Sequence, residues 1–136
     1  MKFSHNKIVH EMYKFSMDKR PKTIFCDIDG TLIKHHGDLT KAMHATPKLL
    51  DGTIETLNIW ERKGYRIILT TGRKESMRSI TEKLLSDLGI FYDLLIMGIG
   101  GGDRILINDK KPDSDDDTCF AYNLIRNEGV KKLSDI

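Results

Sequence analysis

Cysteine is scarce in this chain. Only Cys26 and Cys119 are present, far apart and without metal-type spacing, which argues against a disulfide framework or a thiolate metal cluster. Cys26 stands within an apolar run and reads as a small buried hydrophobe. Charge of one sign is also lacking: the formal net charge is +2, so no global basic field points to nucleic acid or to an anionic membrane. No apolar run approaches the ~20 residues that cross a bilayer. The stretch Met1-Lys2-Phe3-Ser4-His5 lacks the long apolar segment of a secretion signal. Together these absences place the chain in a reducing, cytoplasmic compartment with no membrane partner.

What is present is ordinary globular material. The 136 residues are 39% hydrophobic and 31% charged, enough for one domain with a core that needs no disulfide staples. Ile8, Met12 and Phe15 have helical spacing, so residues 1–20 read as a helical extension. The main domain spans 21–128, and 129–136 reads as a frayed tail. Within the domain the spacing predicts a strand over 23–28 and a polar excursion over 33–48. A helix follows over 53–63 (Ile54, Leu57 and Trp60 inward, Gly64 as its stop), then a strand over 65–70. A second helix covers 74–88, with Met77, Ile80, Leu84 and Leu88 inward. Strands over 93–97 and 104–108 complete the series, with a weak edge strand over 118–124. Such alternation favours a parallel α/β sheet with helices on both faces.

In an open α/β sheet, ligands bind beyond the carboxyl ends of the strands. Three groups of chemistry-bearing residues fall there. Asp27 and Asp29 end the first strand, within Asp27-Ile28-Asp29-Gly30-Thr31-Leu32. Thr70-Thr71-Gly72-Arg73 ends the second, and Asn108-Asp109 the fourth. Two carboxylates one residue apart at the end of a buried strand are costly unless a metal or cation accompanies them. A turn built on Asp-Gly is the simpler reading of the first group, a strand-to-helix connection of the second, and a polar turn of the third. An EF-hand register fails, since Phe25 would take the first ligand position and His36 the bidentate glutamate position.

The hexad resembles the first motif of the haloacid dehalogenase-like (HAD) phosphohydrolases. The resemblance covers about residues 22 to 124 and implies a three-layer Rossmann-like core. It also implies Mg²⁺-dependent phosphomonoester hydrolysis through an aspartyl-phosphate, with Asp27 as nucleophile and Asp29 as acid and base. The metal would be held by the Asp27 side chain, the Asp29 backbone carbonyl and a later carboxylate, here Asp109. Thr71-Gly72-Arg73 resembles the second motif, with Thr71 as the phosphate donor, Thr70 as the fallback, and Gly72 and Arg73 beside it. Asn108-Asp109-Lys110-Lys111-Pro112-Asp113 resembles the fourth, which adds Asn108 and Asp113 as candidates. The family's third-motif lysine is missing, because no lysine occurs between Lys83 and Lys110. Arg104 lies in that gap, and Lys110 is the alternative phosphate cation.

The gaps between motifs hold too few residues for a cap domain. A capless core implies a large substrate or a neighbouring subunit, such as a second copy, over the open site. The expected substrate is a small phosphorylated metabolite, a sugar phosphate or nucleotide. A polynucleotide 3′-phosphatase is the second reading, favoured by the basic cluster Lys19-Arg20-Pro21-Lys22. A catalytically silent phosphate- or metal-binding regulatory module is the third. Gly98, Gly100, Gly101 and Gly102 read as a flexible connection, or as an anion cradle of backbone N–H groups. His35-His36 has no zinc-spaced partners, and Asp115-Asp116-Asp117 reads as an exposed acidic turn.

Overall fold

The computed structural model describes residues 18–136, apart from the side chains of Leu39, Ala42 and Met43. The predicted N-terminal helical extension lies, but for residues 18–20, outside the described residues. Two compact units are present: residues 21–101 with 124–135, and the described residues 18–20 and 102–123 with Ile136.

The first unit is an α/β core built on a three-stranded parallel sheet. Its elements are β1 (Thr23–Asp27), α1 (Leu39–His44), α2 (Thr53–Arg62), β2 (Arg66–Thr70), α3 (Arg78–Asp87) and β3 (Leu94–Ile96), and the strand order is β1-β2-β3. The register pairs Asp27 with Thr70 and Thr70 with Ile96. One row across the sheet therefore marks the carboxyl end of all three strands, where an α/β sheet offers its ligand edge. β2 is the middle strand and buries Ile67 and Leu69. β3 is tied to it by Asp93, whose N–H donates to the Ile67 carbonyl at 2.8 Å and whose carboxylate accepts from the Ile67 N–H at 2.7 Å.

The helix α2 buries Leu57 and Trp60, as its spacing predicts, and Thr53 and Thr56 besides. Thr53 Oγ1 donates to the Leu32 carbonyl at 2.7 Å, anchoring the helix start to the loop after β1. The face of α3 is turned by about one residue from expectation. A 3-10 turn, Glu75–Met77, precedes the helix and changes its phase. Met77, Thr81 and Leu85 are buried, whereas Ile80 is exposed. Apolar periodicity could not locate a face whose middle position is a threonine.

Three further expectations change. Asp38 caps a short helix, accepting from Lys41 N–H at 2.8 Å, inside the stretch read as an excursion. The C-terminal tail is not frayed: Lys131–Leu133 forms a 3-10 turn, and the Trp60 indole N–H donates to the Leu133 carbonyl at 3.2 Å. The strands expected over 104–108 and 118–124 are not formed. Their residues have strand propensity but no ladder partner, and Ile105 and Ile107 are 84% and 89% exposed.

The return of the chain over residues 124–135 depends on Gly129. Its φ is +87°, and a methyl group there would meet the Asp51 carbonyl at 2.4 Å. Gly129→Ala combines left-handed strain with a backbone clash and is expected to cost about 2–4 kcal/mol. Gly101 has no neighbour within 4 Å, so Gly101→Ala should stay within about 0.5 kcal/mol of the parent. Urea denaturation of both variants measures the contrast.

Candidate active site

The loop leaving β1 is wound tightly onto itself. The Ile28 carbonyl accepts from the N–H groups of Thr31 (3.2 Å), Leu32 (2.9 Å) and Ile33 (3.2 Å), and Gly30 N–H donates to the Ile33 carbonyl at 2.7 Å. Gly30 takes φ +90° to make the turn, a conformation that L side chains rarely adopt. Ile28, Leu32 and Ile33 are buried beneath it. The result lifts Asp27 and Asp29 to the ligand edge while the apolar residues between and after them stay in the core.

The two carboxylates have different surroundings. Asp27 is exposed, and Thr31 Oγ1 donates to its Oδ2 at 3.2 Å. Asp29 is engaged by Arg73, whose Nε and Nη2 each donate at 2.9 Å, one to each carboxylate oxygen. The pair is inside the protein: the Arg73 side chain is 3% exposed and that of Asp29 18%. Arg73 Nη1 also donates to Thr81 Oγ1 at 3.3 Å, on the buried face of α3. A bidentate pair of this kind fixes the carboxylate plane as well as its charge. Beneath the loop, Cys26 Sγ donates to the Asp27 carbonyl at 3.3 Å. Burial first, and then the adjacent Asp27 charge, push its thiol up to about 12, which leaves it a neutral space-filler rather than a nucleophile.

The second loop is set by the same chemistry. Thr71 is buried and its hydroxyl oxygen accepts from Arg73 N–H at 3.1 Å. Gly98 N–H donates to the Arg73 carbonyl at 2.7 Å and Ile99 N–H to the Thr71 carbonyl at 3.0 Å. The first residues of the glycine-rich stretch thus brace the Thr71–Arg73 loop from behind, and those two N–H groups are spent. Gly72 sits where a methyl group would approach the Ile99 carbonyl at 3.1 Å. Its own N–H makes no hydrogen bond among the described residues.

The first two residue groups are therefore brought together, with Thr70 in the row between Asp27 and Ile96. Arg104, Asn108, Asp109, Lys110 and Asp113 fall in the other unit. There Arg104 donates to the Gly102 carbonyl. Asn108 Nδ2 donates to Thr118 Oγ1 at 2.9 Å, and Thr118 in turn donates to the Asp109 carbonyl. Lys110 Nζ donates to the Asp115 carbonyl at 2.9 Å and pairs with Asp117 at 3.8 Å. These residues and Asp113 are exposed. Among the described residues no three His, Cys, Asp or Glu side chains gather to hold a metal. Thr31, Thr81 and Ile99 were not given a site role from sequence, and Gly98, read as a flexible connection or an anion cradle, instead spends its N–H on the Arg73 carbonyl.

A model of the family described as "PITM 1-3, LNS2 domain" matches residues 24–107, more than half of the chain. The chain belongs to that family. At the superfamily level it falls with the HAD-like phosphatases, as the first motif implies. Two solved structures resemble this LNS2 chain. One, "Structure of Pnkp1/Rnl/Hen1 complex", shares 33% identity over 68% of this chain and 33% of its own, with a TM-score of 0.53. The other, "Structure of the Pnkp1/Rnl/Hen1 RNA repair complex", shares 36% identity over 61% of this chain and 27% of its own, with a TM-score of 0.51. The chain thus spans about a third or less of the solved chains it matches. No curated protein sequence matches it significantly. Among the described residues no helix is long and apolar enough to cross a membrane.

Removing Arg73 would strand a half-buried carboxylate. Arg73→Ala is expected to cost about 2–4 kcal/mol, short of the full price of a broken buried pair because Asp29 keeps some solvent. The double variant Arg73→Ala/Asp29→Ala should cost clearly less than the sum of the two single variants, because the pair acts as one unit. Chemical denaturation of the four proteins closes that cycle.

Proposed function

We propose that this LNS2 chain is a phosphomonoester hydrolase that removes the terminal 3′-phosphate from an RNA end. The observation that carries the hydrolase reading is the division of labour between the carboxylates: Asp29 is clamped by Arg73, while Asp27 stands exposed at the strand end, steadied by Thr31. The likeness to chains of an RNA repair complex supports the RNA end over a small metabolite. The short spacing between the motifs, with no room for an inserted cap, is consistent with it.

Each residue then has a task set by its environment. An Asp27 oxygen attacks phosphorus in line with the departing ester oxygen, forming an aspartyl-phosphate as the P–O ester bond breaks. Asp29, an ion-paired carboxylate at rest, takes up a proton from solvent as the phosphate binds and delivers it to that leaving oxygen. Arg73 occupies one lone pair on each Asp29 oxygen, so the remaining lone pairs carry the proton while the carboxylate plane stays fixed. In the second half Asp29 takes a proton from water, which opens the aspartyl-phosphate, releases inorganic phosphate and restores Asp27. The Gly72 N–H and the Thr71 hydroxyl hydrogen are the donors that face the phosphoryl oxygens.

Mg²⁺ suits the oxygen donors present. Both Asp29 carboxylate oxygens accept from Arg73, whereas the Asp29 carbonyl accepts no hydrogen bond among the described residues. The Asp27 carboxylate and the Asp29 carbonyl would hold the ion, with waters completing a hard oxygen shell. When bound, the ion supplies charge neutralisation between carboxylate and phosphate.

The test is phosphate release from a 3′-phosphorylated RNA oligonucleotide in Mg²⁺, with a sugar phosphate, a nucleotide and an aryl phosphate run alongside. Wild type is expected to prefer the RNA end, and Asp27→Asn to lose about a thousandfold or more of kcat. A preference for the small phosphates would return the substrate to the metabolite class. Failure of every substrate would remove the hydrolase reading in favour of a binding module.

Asp29→Asn separates proton transfer from binding. An alkyl leaving group needs the proton and an activated aryl leaving group does not, so the variant should lose at least about tenfold more rate on the RNA end than on the aryl ester. Equal losses on both would deny Asp29 the acid role.

A further inference from the structure

Arg73, the cation of the second motif, is fully engaged with Asp29 and Thr81, which leaves the incoming phosphate without an arginine from that loop. A different arginine stands on the other side of the same turn. Arg126 belongs to the returning segment of the first unit, and its stem lies over Gly30. A methyl group at Gly30 would come within 3.2 Å of Arg126 Cγ and 3.9 Å of its Cδ. A methyl group there would require the Arg126 stem to give by a few tenths of an ångström.

The placement is built by neighbours rather than by the arginine's own head. Asn127 adopts φ +67°. Its N–H donates to the Gly30 carbonyl at 2.8 Å. Its side-chain Oδ1 accepts from His35 N–H at 2.7 Å, and Nδ2 donates to the His35 carbonyl at 3.4 Å. Two residues on, Gly129 packs against the Asp51 backbone and Val130 is buried. The segment is thus pinned to the Gly30–His35 loop on one side and to the start of α2 on the other. Yet Arg126 itself is exposed, and among the described residues its guanidinium takes no hydrogen bond or ion pair. Asp29, the carboxylate adjoining Gly30, already has both oxygens occupied by Arg73 and so does not draw it in.

An arginine with an anchored stem and an unspent fork, next to the turn that carries Asp29, is arranged for an anion from outside. We propose that Arg126 binds a phosphate oxyanion of the substrate, entering from the Gly30 side, and takes the role that a lysine before the fourth strand would otherwise fill. This rests on the hydrolase reading for its substrate but not for its anion. The phosphate could be the terminal monoester or the adjoining phosphodiester, and two ligands tell them apart.

The experiment titrates wild type, Arg126→Gln and Arg126→Lys with inorganic phosphate and with a 3′-hydroxyl RNA oligonucleotide, by calorimetry, and measures KM and kcat on the 3′-phosphorylated oligonucleotide. Arg126→Gln is expected to weaken one of the two ligands about 10- to 100-fold and to raise KM similarly, with kcat changed far less. Arg126→Lys should recover part of the loss. Loss confined to inorganic phosphate assigns Arg126 to the terminal group; loss confined to the hydroxyl-ended RNA assigns it to the phosphodiester. Unchanged binding of both, with a melting temperature equal to wild type, overturns the proposal even if turnover is intact. If wild type turns nothing over but Arg126→Gln still loses affinity, the anion site stands and the hydrolase reading falls. Asn127→Ala, which frees the segment while keeping the arginine, should weaken the same ligand as Arg126→Gln.

Discussion

Everything at the ligand edge is organised around one buried ion pair, Arg73 with Asp29. The guanidinium is out of water and the carboxylate nearly so, which means each is expensive without the other. That mutual dependence joins the loop after β1 to the loop after β2, two segments 44 residues apart in the chain. Thr81 extends the linkage to α3, so strand ends and helix are held by a single planar group with several donors. A lysine could not do this, since its ammonium is a point charge with no plane to impose. The pair also explains why two carboxylates can stand one residue apart: Asp29 is neutralised within the protein by Arg73, and Asp27 lies exposed at the strand end.

The backbone around the pair is braced from three directions. Gly98 and Ile99 hold the Thr71–Arg73 loop. Thr53 fastens α2 to Leu32. Asn127 closes over Gly30 and His35. Each brace uses a carbonyl or N–H that the sheet and helices leave unpaired, so satisfying those groups and fixing the site are the same act. Positioning of this kind is what phosphoryl transfer demands, because the protein contributes alignment and charge more than covalent chemistry.

The sheet, the helices α2 and α3 and the first motif were legible from sequence because they follow from local patterns: apolar runs, Gly64 as a helix stop, and carboxylates at a strand end. What stayed hidden was relational. Arg73 reads from sequence as a phosphate ligand, since arginine beside threonine and glycine at a strand end suits an anion; the structure gives its fork to Asp29. Thr81 reads as a neutral helix residue and is the buried contact of that arginine. Asn127 and Arg126 lie in a stretch without periodicity, and their meaning comes from a contact across roughly a hundred residues, which no local pattern encodes. The expected strand over 104–108 failed for a similar reason: propensity was present, but a strand exists only with a partner to share its hydrogen bonds.

Charge accounting at the ligand edge constrains any function built there. Under the proposed function Asp27, exposed at the strand end, must approach a substrate that is itself an anion, while Arg73 is committed to Asp29. Attack by a carboxylate on a phosphate monoester is repelled unless positive charge lies between or beside them, and at about 4 Å near a protein surface that repulsion is on the order of 4 kcal/mol per pair of unit charges. The Gly72 N–H and the Thr71 hydroxyl supply dipoles, which orient the phosphate but do not offset a full charge. Among the described residues of the first unit, two groups would fit that need under the proposed function: the Asp27 carboxylate with the Asp29 carbonyl, which would hold a divalent cation, and the guanidinium of Arg126. A cation held by Asp27 and the Asp29 carbonyl would supply charge for the attack, whereas an arginine beside Gly30 would favour capture of the anion. If both operate, metal removal should depress kcat and neutralising Arg126 should raise KM, so the two cations would be separable by kinetics even though they serve the same phosphate.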